Sequence, residues 1–213
     1  MTNNASYSDS LLNNLIDGKR KESSKLAHQF LSENNSITEL YEEVMKPALY
    51  EVGILWEKNK ISVATEHMAT AITEGILNEL YDSIYNSNQT NKRVVVACVE
   101  NELHQVGIKM VADTFEAHGW ESFFLGTGIP LNELIDFIKE SKPKILAISL
   151  SVYYNYANLI KMLTKLKEEF PDLEILIGGQ AFNHSEKTMT NKFSNVKVIK
   201  NLYDLNIFIN QNT

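Results

Sequence analysis

From Lys92 onward, short apolar runs alternate with stretches of helical periodicity, and this alternation constrains the fold more than any single residue. RVVVACV, WESFFLG, KILAISL and LEILIGG read as strands, and a last strand is expected near Val196 to Ile199. Helices are expected between and after them: one to His118, one over Pro130 to Ser141, one through Phe170 and one over Tyr203 to Ile209. Short apolar strands separated by helices imply a parallel sheet covered on both faces. In open sheets of this kind, ligands bind outside the carboxyl ends of the strands.

The earlier part of the chain has a different period. Leu11, Leu12 and Ile16; Leu26, Phe30 and Leu31; Tyr41, Met45, Ala48, Val52 and Leu55; and Val63, His67, Thr70 and Leu77 recur at helical spacing. Residues 1–88 are therefore expected to form a four-helix bundle, followed by an α/β domain over residues 92–213. The polar, turn-prone stretch from Asn86 to Asn91 is the expected boundary. Pro47 should kink the third helix or mark its start, and Ser62 should cap the fourth.

Composition removes several classes of function. The net charge of −7 argues against a nucleic-acid surface, which concentrates Lys and Arg to displace counterions. No window resembles a membrane span, and the polar start MTNNASYSDS has neither the basic region nor the apolar core of a secretion signal. A cytoplasmic location is expected. Cys98 is the sole cysteine, so neither an internal disulfide nor a cysteine zinc cluster is available; burial in a strand is its expected fate.

The loops that follow the strands carry the candidate chemistry. The first, ENELHQVG, has one glycine where a dinucleotide fold would place G-x-G-x-x-G, and Gly126-Thr127-Gly128 after the second strand lacks the third glycine. No Walker sequence and no G-x-S-x-G nucleophile elbow is present. His104 stands in that first loop, with Glu102 two residues before it. A metal-binding imidazole usually gives its other ring N–H to a carboxylate, and Glu102 is within reach of that role. Ser149 and the pair Gly178-Gly179 end later strands, so three strand ends converge on one edge. Absent side chains at the glycines would let a bulky group lie against the backbone.

These residues resemble the cobalamin-binding domain family, whose pattern is D-x-H-x-x-G, then S-x-L, then G-G. Here they read Glu102-x-His104-x-x-Gly107, Ser149-x-Ser151 and Gly178-Gly179. The resemblance implies a flavodoxin-like, five-stranded parallel domain in which His104 is the lower axial ligand of cobalt. The displaced nucleotide tail would run beside Ser149 and under Gly178-Gly179. Glu102 lengthens the family aspartate by one methylene, which should loosen its bond to His104, and Ser151 in place of leucine makes the tail channel less apolar.

The segment PALYEVGILWEKNKISVATEH resembles the helical cap of light-dependent cobalamin photoreceptors of the CarH type. In that group a tryptophan, valine, glutamate and histidine hold the 5′-deoxyadenosyl group over the upper face; Trp56, Val63, Glu66 and His67 stand at the matching positions. Val63, Glu66, His67 and Thr70 share one helix face by spacing alone. The family's N-terminal helix-turn-helix domain has no room here, and Glu57 replaces the histidine that captures cobalt after illumination.

The expectation is thus a stand-alone sensor that holds adenosylcobalamin between cap and sheet and, after photolysis, signals to a separate regulatory protein or to a second copy of itself. Direct contact with nucleic acid or membrane is not expected, nor is catalysis by the isolated chain. The alternative is a corrinoid methyl carrier of a methyltransferase system, which would hold methylcobalamin.

Overall fold

The computed structural model describes residues 3–85, 88–184 and 193–212. Asn86 and Ser87, at the start of the expected boundary, lie outside the described residues. The chain divides into two compact units, Met1–Ile84 and Tyr85–Thr213.

The first unit is helical. Its helices are α1 (Asn3–Ile16), α2 (Arg20–Ser32), α3 (Ile37–Glu39), α4 (Lys46–Glu57), α5 (Val63–Glu79) and the short α6 (Tyr81–Ile84). Between α3 and α4 the path stays helical through a π turn, Leu40–Met45, so one long rod runs from Ile37 to Glu57. Four helical paths therefore carry the periodic apolar residues, and Leu11, Leu15, Ala27, Phe30, Leu40, Val44, Met45, Val52, Ile76 and Leu77 are buried among them.

Pro47 neither breaks this rod nor begins it. Proline has no N–H for the carbonyl four residues back and its ring crowds that carbonyl. The wider π turn immediately upstream absorbs the conflict, and the α form resumes with Pro47 in its first turn. The true start is Ser36, whose hydroxyl accepts the Glu39 N–H at 3.1 Å while the Glu39 carboxylate accepts the Ser36 N–H at 2.7 Å. This capping box was legible as S-x-x-E. Ser62 caps α5 as its position suggests, accepting the Thr65 N–H at 3.1 Å.

The second unit contains strands β1 (Arg93–Cys98), β2 (Glu121–Gly126), β3 (Ile145–Ser149), β4 (Glu174–Gly178) and β5 (Val196–Val198). Helices α7 (Val106–Ala117), α8 (Leu131–Ser141), α9 (Tyr156–Glu169) and α10 (Leu202–Asn212) follow successive strands, except that a short 3₁₀ turn follows β4. All neighbours are parallel and the order is β2-β1-β3-β4-β5, a flavodoxin-like sheet. Every residue of β3 and five of the six in β1 are buried, the outcome that uninterrupted apolar runs predict for strands covered on both faces. Val95, Ala97, Leu146, Ile148, Ile175 and Ile177 pack against Leu134, Ile138, Leu159, Leu163 and Leu166 of α8 and α9.

This order reverses direction at β1. The chain leaves β1 for β2 on one side and returns to β3 on the other, so the loops after β1 and β3 diverge and leave a crevice at the switch point. Cys98 pairs with Ser149, and Ser149 with Gly178, across that edge. The three loop signals of the sequence are thereby neighbours.

Candidate functional site

The loop after β1 is built around one buried carboxylate. Val99 N–H donates to the Ser149 carbonyl at 3.0 Å, Glu102 N–H donates to the Val99 carbonyl at 2.9 Å, and Asn101 takes a left-handed conformation to make the turn. These bonds direct Glu102 inward, where its side chain is 1% exposed. Oε1 lies 2.5 Å from His104 Nδ1 and accepts the N–H groups of Leu103 and His104 at 3.0 and 3.1 Å. Oε2 accepts the N–H groups of Ser151 and Val152 at 3.0 and 2.9 Å.

Burial opposes ionisation of Glu102, but the hydrogen bonds from His104 and from the Val152, His104 and Ser151 backbone outweigh it and hold the carboxyl at about 2. An ionised carboxylate only accepts, so Nδ1 carries the proton in the His104–Glu102 pair and Nε2 is the ring atom suited to a metal. The imidazole is 57% exposed. The extra methylene of Glu102 does not loosen the contact, contrary to expectation; it allows the carboxylate to span two loops. Beneath it, Cys98 is buried in β1, and burial followed by the charge of Glu102 pushes its thiol up to about 12. Its Sγ–H faces the His104 carbonyl at 3.5 Å, so it is a structural thiol.

The glycines divide into two kinds. A Cβ on Gly107 would meet nothing within 4 Å, so the first turn of α7 presents open space beside His104. At Gly178 a Cβ would lie 2.9 Å from the Ile199 carbonyl oxygen, and at Gly179, with φ +112°, 2.3 Å from that of Leu150. The Gly178-Gly179 pair is thus required by its own backbone neighbours, a reason independent of any ligand. Ser149 is buried at the end of β3 and contributes its carbonyl, while Ser151 contributes its N–H to Glu102.

Two further residues, Asn155 just before α9 and Asn158 in its first turn, were not singled out from sequence. Asn155 Nδ2 donates to the Asn101 carbonyl and Asn158 Nδ2 to that of Glu100, each at 3.3 Å, adding to the stitching of the β1–α7 and β3–α9 loops. Asparagines opening a helix after a strand were the available signal. Around them Leu103 is 80% and Tyr154 91% exposed, and Tyr153 stacks on Tyr156 with centroids 5.2 Å apart.

The helical unit holds the remaining candidates. Trp56, 48% exposed, is the penultimate residue of α4, and Val63 opens α5, also exposed. Glu66 Oε2 lies 2.5 Å from His67 Nδ1, and Glu66 Oε1 accepts the Thr70 hydroxyl at 3.1 Å. Helical spacing brings Val63, Glu66, His67 and Thr70 onto one face of α5. Glu57 is exposed.

The donor chemistry fits a corrinoid. A single imidazole is backed by an ionised carboxylate, and among the described residues no cluster of three or more His, Cys, Asp or Glu forms a self-contained metal cage. A metal that arrives with its own equatorial ligands needs only such an axial base. Open space at Gly107 is compatible with a bulky macrocycle.

Fold and site together define a flavodoxin-like domain, with a histidine poised as a metal ligand at its carboxyl edge, joined to a helical unit. Residues 92–199 match the family model described as B12 binding domain, and residues 7–81 match a second model of the same description. The chain belongs to the B12-binding domain family, and its cofactor is a cobalamin. Among curated proteins it is similar to the HTH-type transcriptional repressor CarH of Myxococcus xanthus, 25% identical over 142 residues, which are 66% of this chain and 47% of that protein. The chain thus spans about half the length of that repressor. It is equally similar to dimethylamine corrinoid protein 1 of Methanosarcina acetivorans, 24% identical over 147 residues, 67% of this chain and 68% of that protein. In fold it matches the structure of Methanosarcina barkeri monomethylamine corrinoid protein with a TM-score of 0.82 at 13% identity, covering 99% of this chain and all of that one. No helix among the described residues is long and apolar enough to cross a membrane.

Proposed function

We propose that this chain is a cobalamin-binding light sensor, not itself an enzyme, that holds adenosylcobalamin and signals to a partner protein after photolysis. The observation that carries the reading is the exposure of Trp56 on α4 and of Val63 on the α5 face that also carries Glu66 and His67. Trp56 and Val63 are 48% and 52% exposed, apolar surface available to a ligand. Glu66 is oriented by Thr70 and His67, leaving a carboxylate suited to ribose hydroxyls. A flat aromatic surface and a fixed carboxylate are the chemistry that a nucleoside requires. Bound cobalamin would supply a cobalt–carbon bond that green light cleaves. On this reading His104 fixes the lower ligand, Glu102 fixes His104, and loss of the nucleoside removes contacts that favour one arrangement of the helical unit. With Glu57 at the position expected to capture cobalt, a bis-histidine photoproduct through that position is not expected.

A second reading, a methyl carrier serving a methyltransferase, is favoured by the full-length likeness in fold to a corrinoid protein of methylamine metabolism. One experiment separates the two. The protein is loaded with adenosylcobalamin in darkness, gel-filtered and illuminated with green light. A stable new visible spectrum with a shift in sedimentation supports the sensor. An unchanged sedimentation profile, together with methyl transfer from bound methylcobalamin to a thiol when a methyltransferase is added, supports the carrier and overturns the sensor.

A further inference from the structure

We infer that Glu102 is a positioning residue whose length is matched to this chain: it ties the loop carrying the cobalt ligand to the loop after β3, so that His104 and the aromatic segment Val152–Tyr154 form one rigid body. The inference rests on the cobalamin reading for the role of His104, but the strut itself is a property of the protein alone.

Five donors surround the carboxylate. Three belong to its own loop, the N–H groups of Leu103 and His104 and the His104 ring, all on Oε1. The other two, Ser151 N–H and Val152 N–H, lie 49 and 50 residues further along the chain and converge on Oε2 at 3.0 and 2.9 Å. Glu102 is almost wholly buried, so these charge-assisted bonds are sheltered from competing water. Other links between the two strand ends include the Val99 N–H to Ser149 carbonyl bond at 3.0 Å and the amide bonds from Asn155 and Asn158 at 3.3 Å, all between neutral groups. The carboxylate adds the charge-assisted tie, which is the stronger kind.

An aspartate, the residue of the family pattern, is shorter by one carbon–carbon bond of about 1.5 Å. If it kept the imidazole, its second oxygen would fall well beyond hydrogen-bond distance of Ser151 and Val152. Restoring the family residue should therefore damage this protein. The segment released would be the one that carries Val152, Tyr153 and the 91% exposed Tyr154. While the strut is intact, any displacement of the His104 loop carries that aromatic segment with it.

The test is residue-resolved amide hydrogen exchange on the full chain, with and without cobalamin, for wild type, Glu102→Asp, His104→Ala and Asn158→Ala. In the cobalamin-free state Glu102→Asp should exchange Ser151 and Val152 about tenfold faster than wild type, the effect of one lost hydrogen bond of ordinary strength. Loaded Glu102→Asp should still show the visible spectrum of histidine-ligated cobalt, because the shorter acid reaches Nδ1. His104→Ala and Asn158→Ala should leave protection of the two amides near wild type, since the strut ends on backbone. Wild-type exchange rates in Glu102→Asp, or loss of protection in His104→Ala, would overturn the inference. Should Glu102→Asp fail to fold, the wild type decides alone: loading must slow exchange at Leu103, His104, Ser151 and Val152 together, and slowing confined to the first pair overturns it. A wild type that retains no cobalamin would defeat the functional reading, while the cobalamin-free comparison would still judge the strut.

Discussion

At His104 a common residue acquires a specific role because of what stands behind it. An exposed histidine is ordinary; one whose Nδ1 is fixed by a buried, ionised carboxylate has a single tautomer and a single orientation. Substituting His104 by alanine should remove the visible signature of histidine-ligated cobalt, and an unchanged spectrum of the loaded protein would refute the assignment. The carboxylate also imposes a pH dependence on folding. Its folded value of about 2 lies below the unfolded carboxylate range near 4.3, so its stabilisation is complete above that range and is lost as pH falls toward 2. The loss should be on the order of 3 kcal/mol for the cobalamin-free protein. Denaturant titrations from pH 6 to about 2 should therefore slope more steeply in wild type than in Glu102→Gln; parallel slopes would show that Glu102 is not the group responsible.

Elements rather than residues explain the glycines. Gly179 connects β4 to the turn after it with a positive φ and no room for a Cβ against Leu150, so Gly179→Ala should destabilise the protein by roughly 3 kcal/mol. Gly107 sits in the first turn of α7 with open space around its missing side chain. Gly107→Ala should therefore leave the melting temperature of the cobalamin-free protein unchanged or slightly higher, yet weaken cobalamin retention on gel filtration. Equal effects of the two substitutions on melting temperature would contradict this division. The rod from Ile37 to Glu57 teaches a related lesson: Pro47 reads as a helix breaker, but a π turn placed before it lets the helix continue.

At the scale of the whole molecule, two units of unlike architecture carry different parts of the proposed reading. On that reading His104 of the α/β unit is the axial base, and Trp56, Val63, Glu66 and His67 of the helical unit are the candidates for holding a nucleoside. If these residues hold a nucleoside, Trp56→Ala should lower retention of adenosylcobalamin about tenfold or more while changing retention of hydroxocobalamin little, the loss of one aromatic stacking partner being worth ~1–3 kcal/mol. Equilibrium dialysis in darkness measures both, and equal losses would count against a nucleoside site there.

Much of the protein was determined by local sequence. Apolar runs of five or six residues, divided by amphipathic stretches, cannot be other than covered strands and covering helices, because each must bury its apolar face. Glu102, His104, Gly107, Ser149 and the glycine pair were legible because a loop after a strand in such a sheet has only one place to go, the carboxyl edge. Pairing across distance was decided by tertiary structure alone. The order β2-β1-β3-β4-β5 depends on which strand backbones meet, and strand composition is nearly interchangeable in that respect. The second half of the Glu102 site belongs to Ser151 and Val152, and they take part through backbone N–H groups that every residue but proline possesses. No side chain advertises such a bond, so only the folded chain, bringing two loops within 3.0 Å of one carboxylate, reveals why a glutamate stands there.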